Sequence, residues 1–411
     1  MKPSLILMAI LVIVSAAARA QVVPAATGPS GLPLSGTLHY DLHYTQTAQF
    51  NGGTQGNRQM SAVSGEVAYS NAGTAHPFAL SYSGGDMWTI SGPGESTGIF
   101  QHLLASQGFL GRSWTFNLSD DVSYMPQAPT IGFSGIPGVG GLSGAPGEPS
   151  QPILTQNTRS INNTASPSFT HRLNHATDLS ISGGYEILRF PDSNGLEINS
   201  LQAGPRITRR LNALNSISGQ YSFTHISYPG YTSFTMGTQS AMFIYERTWS
   251  RRFRTSAGAG PQWIQSSDST FIPSSTDVTV NANATYDAGR TTAMLSYNQG
   301  ASGGAGITTQ IGVHNYDAMA GLSRKIGRNL NVNATGAYMR TQGLTKSGVT
   351  YAEYGGVAVT RQWGRYIVVN ANYTAIHQTT SAALPANAIS GLSHVIGFGI
   401  GYSPREAHLR K

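Results

Sequence analysis

The feature that most constrains the fold is an alternation of apolar and polar residues with a period of two. It is clearest in the segments LHYDLHYT, VTVNANATY and IVVNANYTA, which begin at Leu38, Val278 and Ile367. Successive side chains of a β-strand point to opposite faces, so each segment predicts a strand with one apolar and one polar face. The pattern recurs in DLSISGGYEI, SISGQYSF, LNVNATGAY and HVIGFGIGY, whereas few segments repeat with the helical period of 3.6. The sequence therefore predicts an all-β fold.

A second pattern is the regular spacing of similar basic segments. Five segments have similar residues in similar order: FTHRLNHATDL, ITRRLNALNSI, YERTWSRRFRT, LSRKIGRNLNV and VTRQWGRYIVV. One position was chosen at each expected short turn, and successive positions are 37 to 39 residues apart. They are Leu173, Leu211, Trp249, Ala288, Ile326 and Trp363. Such an interval fits a hairpin of two membrane-length strands, with a tight turn at one end and a longer loop at the other. A β-sandwich would show turn signals every 8 to 12 residues or so, which favours a transmembrane barrel here.

The spacing also gives a strand number. Further turns near Ala72 and Leu110 make eight short turns and sixteen flanking strands. Strands near residues 37–50 and 393–402 raise the number to eighteen, with sixteen as the alternative. We predict an antiparallel transmembrane β-barrel over residues 36–402. An even strand number brings both termini to the periplasmic side, which also receives the basic short turns, while the long loops face outward.

One interval is longer than the others. Leu173 follows Leu110 by 63 residues, and residues 126–158 between them are rich in Pro and Gly. Proline cannot donate to a strand ladder and glycine weakens it, so this stretch is predicted to be a long external loop, the third of the barrel.

The chain begins with the features of a cleaved signal peptide. Lys2 is positive, an apolar stretch of about ten residues follows, and Ala18-Arg19-Ala20 is a cleavage motif. An anchoring helix needs about 20 apolar residues, which this stretch lacks. We therefore predict a signal peptide at residues 1–20 and a short periplasmic segment at 21–35. At the other end, residues 403–411 form a basic tail.

The composition excludes several functional classes. With no cysteine in 411 residues, the protein has neither a disulfide framework nor a thiol-dependent site. The net charge of +7 does not indicate nucleic-acid binding, because the basic residues gather at the short turns without interleaved aromatic residues. Such turns are solvated near anionic headgroups, with docking of a periplasmic partner as the alternative.

Alternating strands, constant hairpin spacing and an export signal together resemble outer-membrane β-barrel proteins of the porin type, over essentially the whole mature chain. The resemblance implies the outer membrane of a Gram-negative-type bacterium, insertion by the barrel-assembly machinery, contact with outer-membrane lipids and passage of small solutes. It implies no cofactor, and it leaves open whether the chain forms a homo-oligomer. One departure concerns the end of the chain: such barrels commonly end on an aromatic residue, whereas here Tyr402 is followed by SPREAHLRK.

The polar faces of the best-patterned strands predict the residues that line the lumen. They carry uncharged groups, at Ser218, Gln220, Ser222, Asn281, Asn283, Asn331, Asn333, Asn370 and Asn372. Barrels of about 16 to 18 strands are wide enough to enclose a water-filled passage. Two interpretations stay open: these side chains form a generally wet wall, or they bind uncharged solutes by hydrogen bonding.

General porins carry an inward-folded constriction loop between the fifth and sixth strands, where residues 126–158 fall. The resemblance therefore marks Phe133, Pro137 and Glu148 as constriction residues. Glu148 is the only charged residue of the stretch, and an ordinary surface loop is the alternative.

The sequence also offers candidates for a metal site and for a hydrolase active site. His39, Asp41 and His43 share one strand face and are plausible zinc ligands, but His39 and His43 are about 13 Å apart along a strand and cannot close one metal site. A barrel hydrolase would need a nucleophile, a histidine and an acid that converge, and the histidines are scattered along the sequence. We therefore expect a passive channel for small, uncharged polar solutes and no enzyme. The alternative is a structural or adhesive surface barrel that its external loops close.

The predicted topology can be tested with protease on intact cells. Cleavage should occur within residues 126–158, because that loop is expected outside the cell, while the turns near Arg210 and Arg324 stay intact. Mass spectrometry of the fragments locates the cuts, and permeabilised cells are the control. First cleavage at the turns on intact cells would invert the topology.

Overall fold

The computed structural model describes twelve stretches of the chain. They are residues 37–51, 56–71, 75–92, 97–125, 159–191, 196–230, 234–270, 272–304, 311–345, 348–381, 391–404 and 407–408. The predicted signal peptide, the periplasmic segment and the loop 126–158 lie outside these residues and stay predictions.

Eighteen long strands make up the described structure, as the hairpin count predicts. They are β1 (Thr37–Asn51), β2 (Arg58–Asn71), β3 (Phe78–Ser91), β4 (Thr97–Leu110), β5 (Trp114–Met125), β6 (Ser160–Asn174), β7 (Thr177–Arg189), β8 (Ile198–Arg210), β9 (Asn215–Ser227), β10 (Thr235–Thr248), β11 (Phe253–Ser266), β12 (Ser275–Asp287), β13 (Thr291–Ser302), β14 (Val313–Ile326), β15 (Leu330–Gly343), β16 (Val349–Trp363), β17 (Ile367–Thr380) and β18 (Gly391–Tyr402). Each pairs antiparallel with its neighbour in sequence, so the topology is a simple meander.

The sheet closes on itself between its first and last long strands. β1 and β18 pair antiparallel from Leu42 opposite Tyr402 to Asn51 opposite Ser393. The last predicted strand is therefore correctly placed, two residues longer at its start than expected. A two-residue strand, β19 (Ala407–His408), follows in the basic tail and pairs with Thr37 and Leu38. The prediction of a closed antiparallel barrel with 18 long strands is confirmed.

The short turns lie where the sequence spacing predicts them. The segments RKIGRN and RQWGRY form the β14–β15 and β16–β17 turns, in which Gly327 and Gly364 adopt φ values of +66° and +71°. Most L-residues avoid this left-handed conformation, which explains why both turns contain glycine. The β8–β9 turn uses a different device, since the Asn212 side chain accepts the backbone N–H groups of Leu214 and Asn215 at 2.9 Å.

The two faces of the strands differ as the alternation predicts. Large apolar side chains project outward, for example Leu42, Val278 and Phe398, which are 56%, 50% and 63% exposed. The residues between them in each strand point to the interior, and many are small and polar. Buried examples are Thr45, Ser64, Ser83, Ser218, Ser240 and Thr374. An apolar outer surface of this extent, on a barrel without a free sheet edge, is stable in lipid and not in water.

The described residues thus form a closed antiparallel barrel of the transmembrane type. An even number of antiparallel strands joined by short turns at one end is the architecture of bacterial outer-membrane barrels. In the described residues no helix is long and apolar enough to cross a membrane.

Substitutions on β12 test the assignment of faces. Arg at outward Ala282 should impair folding into bilayers, because a lipid-facing Arg near the midplane costs roughly 2 to 4 kcal/mol. Arg at inward Asn281 should leave folding intact and shift conduction toward anions. Heat-dependent gel mobility after refolding into liposomes measures both variants. Damage by Asn281→Arg alone would mean that inside and outside are reversed.

Candidate functional site: the interior of the barrel

The predicted residues of β9 lie on the inner side of that strand. Ser218 is buried, and its hydroxyl lies 2.9 Å from Thr208 Oγ1. The same hydroxyl accepts a hydrogen bond from the guanidinium of Arg206 at 3.1 Å. Ser222 lies 2.6 Å from Ser240 on β10. Gln220 sits between Ser218 and Ser222 on the same face, opposite Met242. These hydroxyls are therefore part of a hydrogen-bonded wall.

The two predicted asparagines of β12 are joined to each other. Asn283 donates to Asn281 at 2.8 Å, and Asn281 donates to Asn298 on β13 at 2.5 Å. The three amides run across adjacent strands and carry no charge. Such a row leaves further amide donors and acceptors for water or solute.

The predicted asparagines of β17 lie flat on the wall because β18 has glycine opposite them. Asn370 pairs with Gly399 and Asn372 with Gly397. A Cβ atom added at Gly399 or Gly397 would come within 2.2 or 2.3 Å of the amide oxygen of Asn370 or Asn372. Any larger residue on β18 would therefore push the amides into the interior.

Asn331 and Asn333 belong to β15 and face the same interior. Asn331 lies 3.4 Å from Ser323 on β14, and Asn333 lines a small cavity together with Asn372. The structure thus brings Asn281 together with Asn283, and Asn333 together with Asn372. The residues of β9 lie on a separate part of the wall. That all nine line a solute path remains a prediction.

The wall near β8 to β11 carries charges that the sequence reasoning missed. The Arg206 guanidinium forms an ion pair with Glu246 at 2.5 Å, and Ser216 donates to the same carboxylate at 3.2 Å. Arg210 and Arg254 line an adjacent cavity of about 340 Å³ near the short turns. A signal was present in the sequence, because Arg206, Thr208 and Arg210 alternate on one strand face. Arg210 was predicted to lie in the short turn, whereas Arg206 was given no role.

His39, Asp41 and His43 converge more closely than the strand spacing suggests. Their side chains bend toward one another, so that Nε2 of His39 and of His43 lie 3.5 and 3.1 Å from the same oxygen of Asp41. His43 lies against Gly401, where a Cβ atom would meet Nδ1 at 2.1 Å. Among the described residues no group of three or more His, Cys, Asp or Glu side chains is arranged to hold a metal ion.

The end of β13 leaves the wall and enters the interior. β12 and β13 pair only from Val280 to Asp287, so the last residues of β13 have no partner on β12. Instead, the amide of Gln262 on β11 binds the backbone of Ala301 twice, donating to its carbonyl at 2.9 Å and accepting its N–H at 2.7 Å. We call residues 301–304 and 311–313 the infolded segment.

An apolar cluster holds the infolded segment in place at the long-loop end of the barrel. Its buried members are Leu188, Phe190, Leu196, Ile198, Ile226, Tyr228, Met236, Ile264, Ile272, Ala301 and Ile311. Tyr228 also donates to the carbonyl of Gly303 at 2.5 Å. Burial raises the pKa of Tyr228, so its hydroxyl stays protonated and available as this donor.

The predicted constriction residues Phe133, Pro137 and Glu148 lie outside the described residues. Among the described residues, the infolded segment between β13 and β14 is the part that enters the interior. The sequence gives only a weak signal for it, namely the glycine-rich run QGASGGAG, which is typical of any loop.

Replacing Gln262 tests how the infolded segment is held. Gln262→Leu removes both bonds to Ala301, and each buried group left unpaired costs about 1 to 3 kcal/mol. We expect the Ala301 amide to exchange its hydrogen at least about tenfold faster, measured by mass spectrometry in detergent. Gln265→Leu on the outer face of the same strand is the control. Equal exchange in both variants would show that Gln262 does not hold the segment.

Known proteins resemble this chain in fold and not in sequence. No protein-family model matches the chain, and no curated protein matches it. Several solved structures are similar to the chain in fold. OccK2 (OpdF) of Pseudomonas aeruginosa has a TM-score of 0.48 at 9% identity, with 92% of this chain and 100% of that chain covered. OccAB4 of Acinetobacter baumannii has a TM-score of 0.47 at 9% identity, with coverages of 91% and 98%.

Proposed function

We propose that the protein is a passive channel for small polar solutes across the outer membrane. The observation that carries this proposal is the inner wall of β17 and β18. There Asn370 and Asn372 lie flat over Gly399 and Gly397, so that the wall is polar and its side chains do not project far inward. A barrel of this strand number has room for a water-filled passage.

The chemistry of the wall supports uncharged solutes along one side of the interior. The amides of β12, β15 and β17 can donate and accept hydrogen bonds and carry no charge. The other side, near β7 to β11, adds ionic groups such as Arg206 and Glu246, which pair with each other. We therefore propose that neutral polar solutes pass along the amide wall. The proposal includes no catalytic step.

A second candidate is a structural or adhesive barrel that does not conduct. The apolar cluster favours it, because the infolded segment and its buried partners occupy part of the interior at the long-loop end. If the external loops complete this closure, the barrel would display them at the cell surface without passing solutes.

Planar bilayers distinguish the two candidates. Purified, folded protein should give stepwise conductance increases if it is a channel, and liposomes that contain it should swell in small neutral solutes. Swelling rates in a size series of sugars and in charged solutes would define the passage. Silent insertion of protein whose folding is verified by gel mobility would favour the closed barrel.

A charge at Asn283 should change ion selectivity if this residue lines the conducting path. Asn283→Lys is expected to shift the reversal potential in a salt gradient toward anions, and Asn283→Asp toward cations, because a fixed charge attracts the opposite ion. The two variants alter the same position with opposite sign, so each controls for the other. If the reversal potential stayed the same in both variants, or moved in the same direction in both, Asn283 would lie away from the conducting path.

A further inference from the structure

A cavity lies under the infolded segment, and no role has so far been assigned to it. Its volume is about 310 Å³, which suits a small solute. Inner residues of β7 to β10 line one side, and those of β14 and β15 line the other. These strands belong to separate parts of the wall, which the infolded segment bridges. A solute in the cavity would therefore be held within the barrel interior.

The charges of this cavity have one sign. Glu186 and Asp317 line it, and none of its fifteen described lining residues is Lys, Arg or His. This differs from the cavity near the short turns, where Arg210 and Arg254 accompany Glu246. Carboxylates that are partly withdrawn from water favour a neighbouring positive charge.

Several polar groups of the cavity have free hydrogen-bonding capacity. Thr238 is 7% exposed, yet its hydroxyl has no hydrogen-bond partner among the described residues. The carboxylate of Glu186 also forms neither a hydrogen bond nor an ion pair with any described residue. The hydroxyl of Thr238 and the carboxylate of Glu186 are therefore available to a ligand or water in the cavity.

The remaining wall is apolar. Ile198, Ile226 and Val313 are buried, and Met339 lies beside them. Water alone would gain little from this surface, whereas a short hydrocarbon chain would bury apolar area against it. The cavity thus combines two carboxylates, an unpaired hydroxyl and an apolar wall.

We propose that this cavity is a binding site for a small organic cation. A primary ammonium or guanidinium group would lie near Glu186 and Asp317, with Thr238 accepting one of its hydrogens, and a short aliphatic part would pack against Ile226 and Val313. This inference rests on the proposed function, because the solute reaches the cavity through the channel.

Direct binding tests the site without requiring conduction. Folded protein in detergent micelles is titrated with n-butylammonium, 1-butanol and butyrate, and binding is measured by saturation-transfer NMR. We expect n-butylammonium to bind roughly tenfold more tightly than 1-butanol, because hydrogen bonds to charged groups are the stronger ones, and butyrate to bind least.

Two variants and one control identify the residues. Glu186→Gln keeps the shape of the side chain and should weaken n-butylammonium binding roughly tenfold without affecting 1-butanol. Thr238→Val should weaken it less. Glu353→Gln makes the same chemical change on the outer face of β16 and should have no effect. Gel mobility confirms that each variant is folded.

The outcomes separate this inference from the proposed function. Specific n-butylammonium binding by a barrel that is silent in bilayers would overturn the channel and leave the site. A conducting barrel in which n-butylammonium binds no better than 1-butanol, or in which Glu186→Gln has no effect, would overturn the site alone. Complete displacement of n-butylammonium by an equal concentration of potassium would show a cation site without preference for an organic ligand, and would also overturn the proposal.

Discussion

Backbone hydrogen bonding in lipid is the constraint on which the rest of this structure depends. An open sheet edge has no water to pair with inside a bilayer, and each orphaned group costs several kcal/mol there. The contact between β1 and β18 removes that edge, and β19 extends the pairing of β1 at its other end. Closure in turn makes one face of every strand an outer wall and the other an interior.

The interior that closure creates is uneven. On β17 and β18 it includes the amides of Asn370 and Asn372 over Gly399 and Gly397, which carry no charge. From β7 to β11 it carries Arg206 and Glu246, and the cavity under the infolded segment adds Glu186 and Asp317. A solute that crosses this barrel would therefore meet a neutral wall on one side and ionic groups on the other.

The infolded segment shows how a local break in pairing is tolerated. Where β13 leaves β12, the Gln262 amide takes over the backbone bonds of Ala301. Nδ1 of His314 on β14 lies 2.6 Å from Oδ2 of Asp277 on β12. These two side chains span the gap between β12 and β14 that the end of β13 does not fill. Side chains thus replace a ladder that continuous strands would have supplied, in keeping with the rule that backbone polar groups are satisfied.

The sequence by itself determined the strands, their number, the short turns and the apolar outer face, because these follow from a period of two and from hairpin spacing, which are local properties. It also indicated which face Asn281 and Ser218 would take. Only the tertiary structure decided that Asn370 lies flat on Gly399, that the side chains of His39 and His43 meet at Asp41, that Arg206 pairs with Glu246, and that the end of β13 turns inward. These contacts join residues from different strands or depend on side-chain conformation, and alternation along one strand carries no information about either.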